Sequence, residues 1–314
     1  MKPAKYIIPA TIKRALAAAA KYSPDFMYFG GGTDIQIYLK QQLLPPQTVI
    51  DLTGIKALGK LKHSRGKLEL GALVTLDQII RNNQIRLNYP LLHRAASAAA
   101  TPVIRKTATI GGNLLVKNRC TFYNQSKDWR IAVGSCLRDE GDICQVTGGK
   151  KACFSRNVSD TATALIALDA RVFISLRGEN LEMPVKDLYR ADGIRFHRHP
   201  LNDGILTQIE ISRKSSSWWF KKLRLRKSMD FMSLAVAVSV DEKGWARICL
   251  NGVSMSPVLI EGLLADMTLK DLMAKAGKMC KTVDNDLMPL KYRRQMIKVY
   301  LKLWWESLGE RKKS

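Results

Sequence analysis

No apolar run in this 314-residue chain approaches the length of a bilayer span; the longer ones, such as Phe231–Val240, fall well short. Lys13 and Arg14 interrupt the first hydrophobic stretch, so no signal-peptide core opens the sequence, and a soluble, cytoplasmic protein is expected. Cysteine is sparse. Six thiols are too few for a disulfide scaffold, and in a cytoplasmic setting clustered thiols serve metal or redox chemistry. Acidic residues are scarce too, 27 against 51 Lys and Arg, for a net charge of +24. A field of that sign attracts acidic partners. The basic residues are spread along the chain, however, with local clusters only at Lys221–Lys227 and Arg311–Lys313. No helix-turn-helix, zinc-finger or RNA-binding signature accompanies them, so nucleic acid is not the expected partner. Internal repeats and low-complexity tracts are missing, and so is any Ser–His–Asp or metal-hydrolase arrangement. The histidines, His63, His93, His197 and His199, read as surface or turn residues.

What is present is ordinary globular composition, 46% hydrophobic and 25% charged, in a chain long enough for two or three domains. Residues 11–22 predict a helix capped by Thr11. A short strand at Met27–Phe29 runs into Gly30–Gly31–Gly32–Thr33–Asp34, followed by a helical turn (Ile35–Gln42), a break at Pro45–Pro46 and a strand at Thr48–Leu52. That order suggests a small parallel unit. Leu68–Leu73 reads as a strand, with Thr75 or Asp77 capping a helix at Leu76–Arg81. Residues 91–100 predict a small-residue helix ended by Thr101–Pro102. A helix at Asp160–Leu168 and a strand at Arg171–Leu176 follow. Beyond a boundary at Lys214–Ser217, Trp218–Leu225 and Ser233–Val240 alternate as strands. The latter pairs with Trp245–Leu250 across the turn Asp241–Gly244, and from Leu263 the chain reads helical.

Two glycine turns stand out, at 30–32 and at Thr109–Ile110–Gly111–Gly112–Asn113. Glycine lets backbone approach a ligand closely and aim N–H groups at an anion, so the pair could hold a pyrophosphate between them. Neither matches GxGxxG or the P-loop, which places any nucleotide site in another architecture; tight turns alone explain most such pairs. Between the second turn and Ser159 lie Cys120, Cys136, Cys144 and Cys153, with fifteen, seven and eight residues between them. Four thiolates suit a tetrahedral zinc or a 4Fe–4S cluster, and two disulfides or unconnected thiols are the plain alternative. A loop this long needs something to hold it, which favours metal. Arg119, Arg130, Arg138, Lys150 and Lys151 lie nearby to offset thiolate charge.

Taken in order, these pieces resemble the flavoprotein subunits of the xanthine dehydrogenase and carbon monoxide dehydrogenase family. The resemblance is carried by GGGTD at 30–34, VIDLTGIKAL at 49–58, LELGALVTL at 68–76, TPVIRKTATIGGNLL at 101–115, SDTATALIALDA at 159–170, KLRLRKSMDF at 222–231 and KYRRQMIKVYL at 291–301. It implies an α+β protein: a two-subdomain FAD-binding fold of the vanillyl-alcohol-oxidase type over 1–213 (1–55 and 56–213), then a flavoprotein-like α+β domain over 214–314. By the same resemblance Gly30, Gly31, Gly32, Thr33, Asp34 and Ile35, with Thr109, Ile110, Gly111, Gly112 and Asn113, line the FAD diphosphate. Asp160 and Lys222 lie beside the cofactor, and Arg226 and Asp230 orient the lysine's segment or form a structural ion pair. Ala108 stands where many relatives have Gly.

The 117–155 insertion, RCTFYNQSKDWR included, is similar to the cluster loop of the 4-hydroxybenzoyl-CoA reductase β subunit. This implies a 4Fe–4S cluster on the four cysteines and an electron-transfer role in an aromatic acyl-CoA reductase. A large molybdenum-cofactor subunit and a small subunit with 2Fe–2S clusters are the implied partners, in a doubled heterotrimer, with an acidic ferredoxin near the cluster or NAD as external redox partner. Two alternatives stay open: the flavin subunit of a xanthine- or aldehyde-oxidising dehydrogenase, and a zinc-stabilised basic binding module without flavin.

Overall fold

A computed structural model describes residues 5–41, 43, 47–64, 66–176, 179–195, 197, 203–212 and 214–311. The chain opens with β1 (Lys5–Ile7), α1 (Ile12–Tyr22), β2 (Phe26–Phe29), α2 (Ile35–Lys40) and β3 (Thr48–Asp51). These strands form a parallel sheet in the order β1–β3–β2, as the β–turn–α–β reading expects. Strand β1 is an addition to that reading. Thr11 caps α1 by accepting a hydrogen bond from the Arg14 N–H, and Ala15, Leu16 and Ala19 turn inward. The predicted Pro45–Pro46 break lies outside the described residues.

The second unit holds β4 (Leu61–Ser64), β5 (Lys67–Gly71), α3 (Leu76–Arg81), α4 (Asn83–Asn88), α5 (Pro90–Ala98), α6 (Pro102–Arg105) and α7 (Ile110–Leu114). It continues with α8 (Lys127–Val133), α9 (Asp160–Ala167), β6 (Arg171–Ser175), β7 (Asn180–Pro184) and β8 (Ile205–Ile211). Its five strands run β4–β5–β8–β6–β7, every pair antiparallel. Thr75, not Asp77, caps α3, in a capping box with Gln78. Thr101–Pro102 does more than end α5: Thr101 caps α6, and Pro102 takes the first helical position, where its missing N–H costs nothing.

The last unit is β9 (Ser217–Leu223), β10 (Leu234–Val240), β11 (Trp245–Asn251), β12 (Val258–Leu263), α10 (Leu269–Met279) and α11 (Leu290–Arg311). Its sheet is antiparallel in the order β12–β11–β10–β9, and the predicted hairpin is β10–β11. All seven residues of β10 are buried because both faces are covered. Leu234, Val236, Val238 and Val240 pack on α10 and α11, whereas Ala237 and Cys249 face the core shared with α5 and α9. The small side chains on that face let α9, itself buried at every position, lie close. The C-terminal sheet therefore has no separate core on its inner side. It closes the core of the preceding unit.

Candidate functional site

The first glycine turn follows β2, and close packing dictates its glycines. A Cβ at Gly31 would sit 1.8 Å from the carbonyl oxygen of Thr107, and Gly32 has φ +72°, a backbone state that L side chains avoid. The second turn meets the first. A Cβ at Gly30 would lie 3.2 Å from Thr109 Oγ1, and one at Gly111 would lie 2.7 Å from the Ala72 carbonyl oxygen. Ala108 is buried, its Cα 3.2 Å from where a Cβ on Gly31 would lie.

The two turns use their backbone differently. In the second, the N–H groups of Ile110, Gly111, Gly112 and Asn113 donate to Val74 O, Ala72 O, Thr109 Oγ1 and Thr109 O. Among the described residues, the N–H groups of Gly31, Gly32, Thr33 and Asp34 donate to no protein acceptor. Backbone donors left over at a glycine turn that opens a helix form an anion cradle. The second turn instead offers side chains. Asn113 Oδ1 accepts from Ser159 Oγ (3.1 Å), Thr161 N (3.0 Å) and Thr161 Oγ1 (2.7 Å), which fixes the carboxamide and leaves Nδ2 to donate elsewhere.

Those bonds tie the second turn to the start of α9, where Ser159 caps the helix and Asp160 follows. Asp160 and Lys222 form an ion pair at 2.8 Å with side chains 5% and 4% exposed. Burial pushes the Asp160 pKa up, and Lys222 opposes it. Lys222 also donates to Ala98 O at the end of α5, as does Arg224. Arg226 and Asp230 pair with each other near the surface, 69% and 16% exposed, and touch neither Asp160 nor Lys222. The Asp34 carboxylate takes a 2.6 Å ion pair with Arg119, while its backbone N–H stays among the unspent donors of the turn.

Arg119 leads into the cysteines. The insertion hangs from a two-residue bridge in which Arg119 and Arg156 exchange both backbone hydrogen bonds at 2.9 Å. Within it, Cys120, Cys136, Cys144 and Cys153 line a single pocket with Phe122, Tyr123, Leu137 and Val146. All four are free thiols. Hydrogen-bond donors point at three of the sulfurs: the N–H groups of Phe122 and Tyr123 at Cys120, Val146, Thr147 and Phe154 at Cys144, and Ser155 at Cys153. At Cys144 these donors hold the pKa below the ordinary thiol value despite burial; at Cys120 and Cys153 burial wins and raises it. Among the described residues, no three His, Cys, Asp or Glu side chains are grouped as ligands of one ion. The thiols surround the pocket without meeting at a point.

The basic side chains of this loop divide between interior and surface. Arg119 and Arg130 are each 6% exposed, so neither belongs to a docking surface. Arg130 pairs with Asp139 at 2.8 Å, and Arg138 stacks 4.1 Å from the Tyr123 ring centroid. Lys150 and Lys151 are exposed. His197 is not an ordinary surface residue either: burial and the charge of Lys117 push its pKa down to about 4. His199 lies outside the described residues. Sequence reading passed over Tyr38 and Lys117, although Lys117 stands three positions before Cys120. Tyr38 packs with Cys120 and Tyr123, and Lys117 is enclosed so that burial, then Arg138 and Arg119, push its pKa down to about 8.

Residues 2–213 match the family described as the FAD binding domain in molybdopterin dehydrogenase. The chain belongs to this family. It is 29% identical over 262 residues to the aldehyde oxidoreductase FAD-binding subunit PaoB of Escherichia coli, covering 80% of this chain and 82% of that one. It is 28% identical over 258 residues to the nicotinate dehydrogenase FAD-subunit of Eubacterium barkeri, covering 79% and 74%. The fold matches a carbon monoxide dehydrogenase chain of Hydrogenophaga pseudoflava with TM-score 0.75, covering 96% and 95% of the two chains at 18% identity. The α+β architecture expected from sequence is thus that of the carbon monoxide dehydrogenase flavoprotein, and the chain is a FAD-binding subunit of a molybdenum hydroxylase, an oxidoreductase. No helix among the described residues is long and apolar enough to cross a membrane.

Proposed function

We propose that this chain relays electrons in an aldehyde- or xanthine-oxidising molybdenum hydroxylase, with FAD on the two glycine turns and a 4Fe–4S cluster on Cys120, Cys136, Cys144 and Cys153. The relatives are named as subunits of an aldehyde oxidoreductase, a nicotinate dehydrogenase and a xanthine dehydrogenase, which supports this reading over the aromatic acyl-CoA reductase that the cysteine loop first suggests. The observation that carries the two-cofactor reading is the joining of an unsatisfied backbone cradle to a four-thiol pocket through the Asp34–Arg119 pair.

The residues fit both groups. The N–H groups of Gly31–Asp34 face no protein acceptor among the described residues and suit a diphosphate; the Thr109 hydroxyl and Asn113 Nδ2 supply further donors. Gly111, Gly112 and Ile110 act as the platform on which the cradle rests, and Ile35 is a buried anchor of α2. Asp160 and Lys222 brace the α5–α9 wall of the same site. In the pocket, N–H donors aimed at three of the sulfurs oppose the effect of burial on the thiolates, and four cysteines on one pocket supply the ligand number of a 4Fe–4S cluster, the reading proposed here, or of zinc. A zinc-stabilised basic module would leave the cradle without purpose.

Bound there, the flavin exchanges electrons singly or in pairs and the cluster one at a time, which links a two-electron substrate reaction to one-electron carriers. A large molybdenum subunit and a small 2Fe–2S subunit are the proposed partners, in a doubled heterotrimer, with NAD or an acidic ferredoxin as the external one. The test is anaerobic purification with the partner subunits, followed by flavin, iron and sulfide counts on the separated chain. One FAD and about four irons per chain support the reading. FAD without iron reduces the cysteine pocket to a structural or zinc-binding insert. Folded protein with neither overturns the proposal.

A further inference from the structure

We propose that Lys117 and Arg119 form a buried cationic bridge between the flavin turn and the cysteine pocket, which raises the reduction potential of the cluster and fixes the two centres relative to each other. This rests on the cluster reading above.

Arg119 belongs to both sites at once. Its guanidinium holds Asp34, the last residue of the flavin cradle, and lies 5.1 Å from the Tyr38 ring centroid and 4.7 Å from that of Phe231. Its backbone closes the insertion against Arg156, and Cys120 is its next residue. Tyr38 sits on α2, the helix that the cradle opens, and packs against Cys120 and Tyr123. The route from cradle to pocket is therefore one ion pair and one ring stack.

Lys117 makes the charge uneven. Its Nζ lies 5.4 Å from the Tyr38 centroid on a side chain that is largely enclosed. Among the described residues it forms no ion pair, and the nearby carboxylate, Asp34, is already matched by Arg119. The other charged groups here bring no acid to spare: Arg138 stacks on Tyr123, Arg130 and Asp139 satisfy each other, and Arg156 is paired with Asp286. A buried cation without a carboxylate is costly unless an anion lies close. Four thiolates around an iron cluster are such an anion. In return, each positive charge held near the cluster favours the state with one electron more, because reduction makes the cluster more negative.

The experiment is a redox titration of the purified complex, followed by the cluster's electron paramagnetic resonance and by flavin absorbance. It compares wild type with Lys117→Met, Arg119→Gln and Arg119→Lys. Lys117→Met should move the cluster midpoint to more negative potential with iron and FAD retained; Arg119→Gln should move it the same way in protein whose iron and FAD, counted alongside, are still bound. Arg119→Lys, which keeps the charge, should stay near the wild-type midpoint. Wild-type midpoints in iron-replete Lys117→Met and Arg119→Gln would overturn the proposal. If Arg119→Gln loses its iron, Lys117→Met decides alone, since no ion pair among the described residues depends on it. A wild-type chain with FAD and no iron overturns both this inference and the cluster reading, and the iron count separates that case from a cluster indifferent to the charges.

Discussion

The proposed flavin cradle and the cysteine pocket are joined by the Asp34–Arg119 pair and are built on opposite plans. The cradle is backbone. Its donors are main-chain N–H groups, its shape comes from glycines pressed against neighbouring carbonyls, and its supports belong to the main core. The pocket is side chain. Four thiols are presented by a stretch whose one regular element above a single turn is the short α8, and that helix exposes Trp129, Ile131 and Val133. A site of the first kind exists as soon as the fold exists. A site of the second kind rests on a small apolar cluster of Tyr38, Leu43, Cys120 and Tyr123 and, on the proposed reading, would gain further order from a bound metal group.

The sharpest test of that contrast removes a brace of the cradle. Lys222→Ala strands the Asp160 carboxylate in the wall behind it, both side chains being almost fully enclosed. Breaking a buried pair by deleting one partner costs about 3–5 kcal/mol. Thermal unfolding of the variant should show a large fall in Tm together with loss of FAD. A variant as stable as wild type would mean that the wall tolerates a lone, neutralised carboxyl and that the cradle is less dependent on the core than its packing implies.

Gly31→Ala asks the same question at the cradle itself. The added methyl collides with the Thr107 carbonyl, which is backbone and cannot swing aside. Overpacking of this kind costs about 1–3 kcal/mol. The two turns should part, so that the flavin-to-protein ratio collapses while iron binding declines far less. Equal loss of both cofactors would make the two sites one cooperative unit and end the comparison.

How much of this could be read from the residues follows the same division. Thr11, Thr75 and Ser159 mark helix starts because a cap is a local device, written within four residues. The alternation read in β9 and β10, and the turn that joins β10 to β11, are equally local. Strand β8 escaped the reading although ILTQIEI alternates, because its meaning lies in partners far away, β5 and β6. The glycine turns were visible, but their unlike duties were not: whether an N–H is spent on Ala72 or left for a ligand depends on a contact made across the fold. The cysteines announced themselves by type and spacing. The basic residues near the cysteines were visible too, but nothing in the sequence says that Arg119 and Arg130 face inward while Lys150 and Lys151 do not.

Cys136→Ser probes the pocket from its own side. Cys136 is the half-exposed member of the four, so its loss leaves no large cavity in the core. Iron should fall to background in the purified chain with FAD content and far-ultraviolet circular dichroism unchanged. Tm should drop by no more than removal of the metal from wild type produces. Disappearance of FAD along with the iron would show that the cradle leans on the loop through Asp34–Arg119 more heavily than on the core.

The smallest effect belongs to Arg226→Gln, and it separates position in a motif from position in a site. Arg226 and Asp230 lie in the same stretch as Lys222, four and eight residues on. Yet Arg226 is 69% exposed, and its carboxylate partner sits near the surface, where water screens the pair. The Asp230 pKa is held down chiefly by its hydrogen bond from Arg226, so its charge persists at neutral pH with or without the arginine. FAD content, iron content and Tm should therefore match wild type within error. Loss of flavin in Arg226→Gln would place this segment over the cofactor and extend the backbone cradle to a side-chain lid.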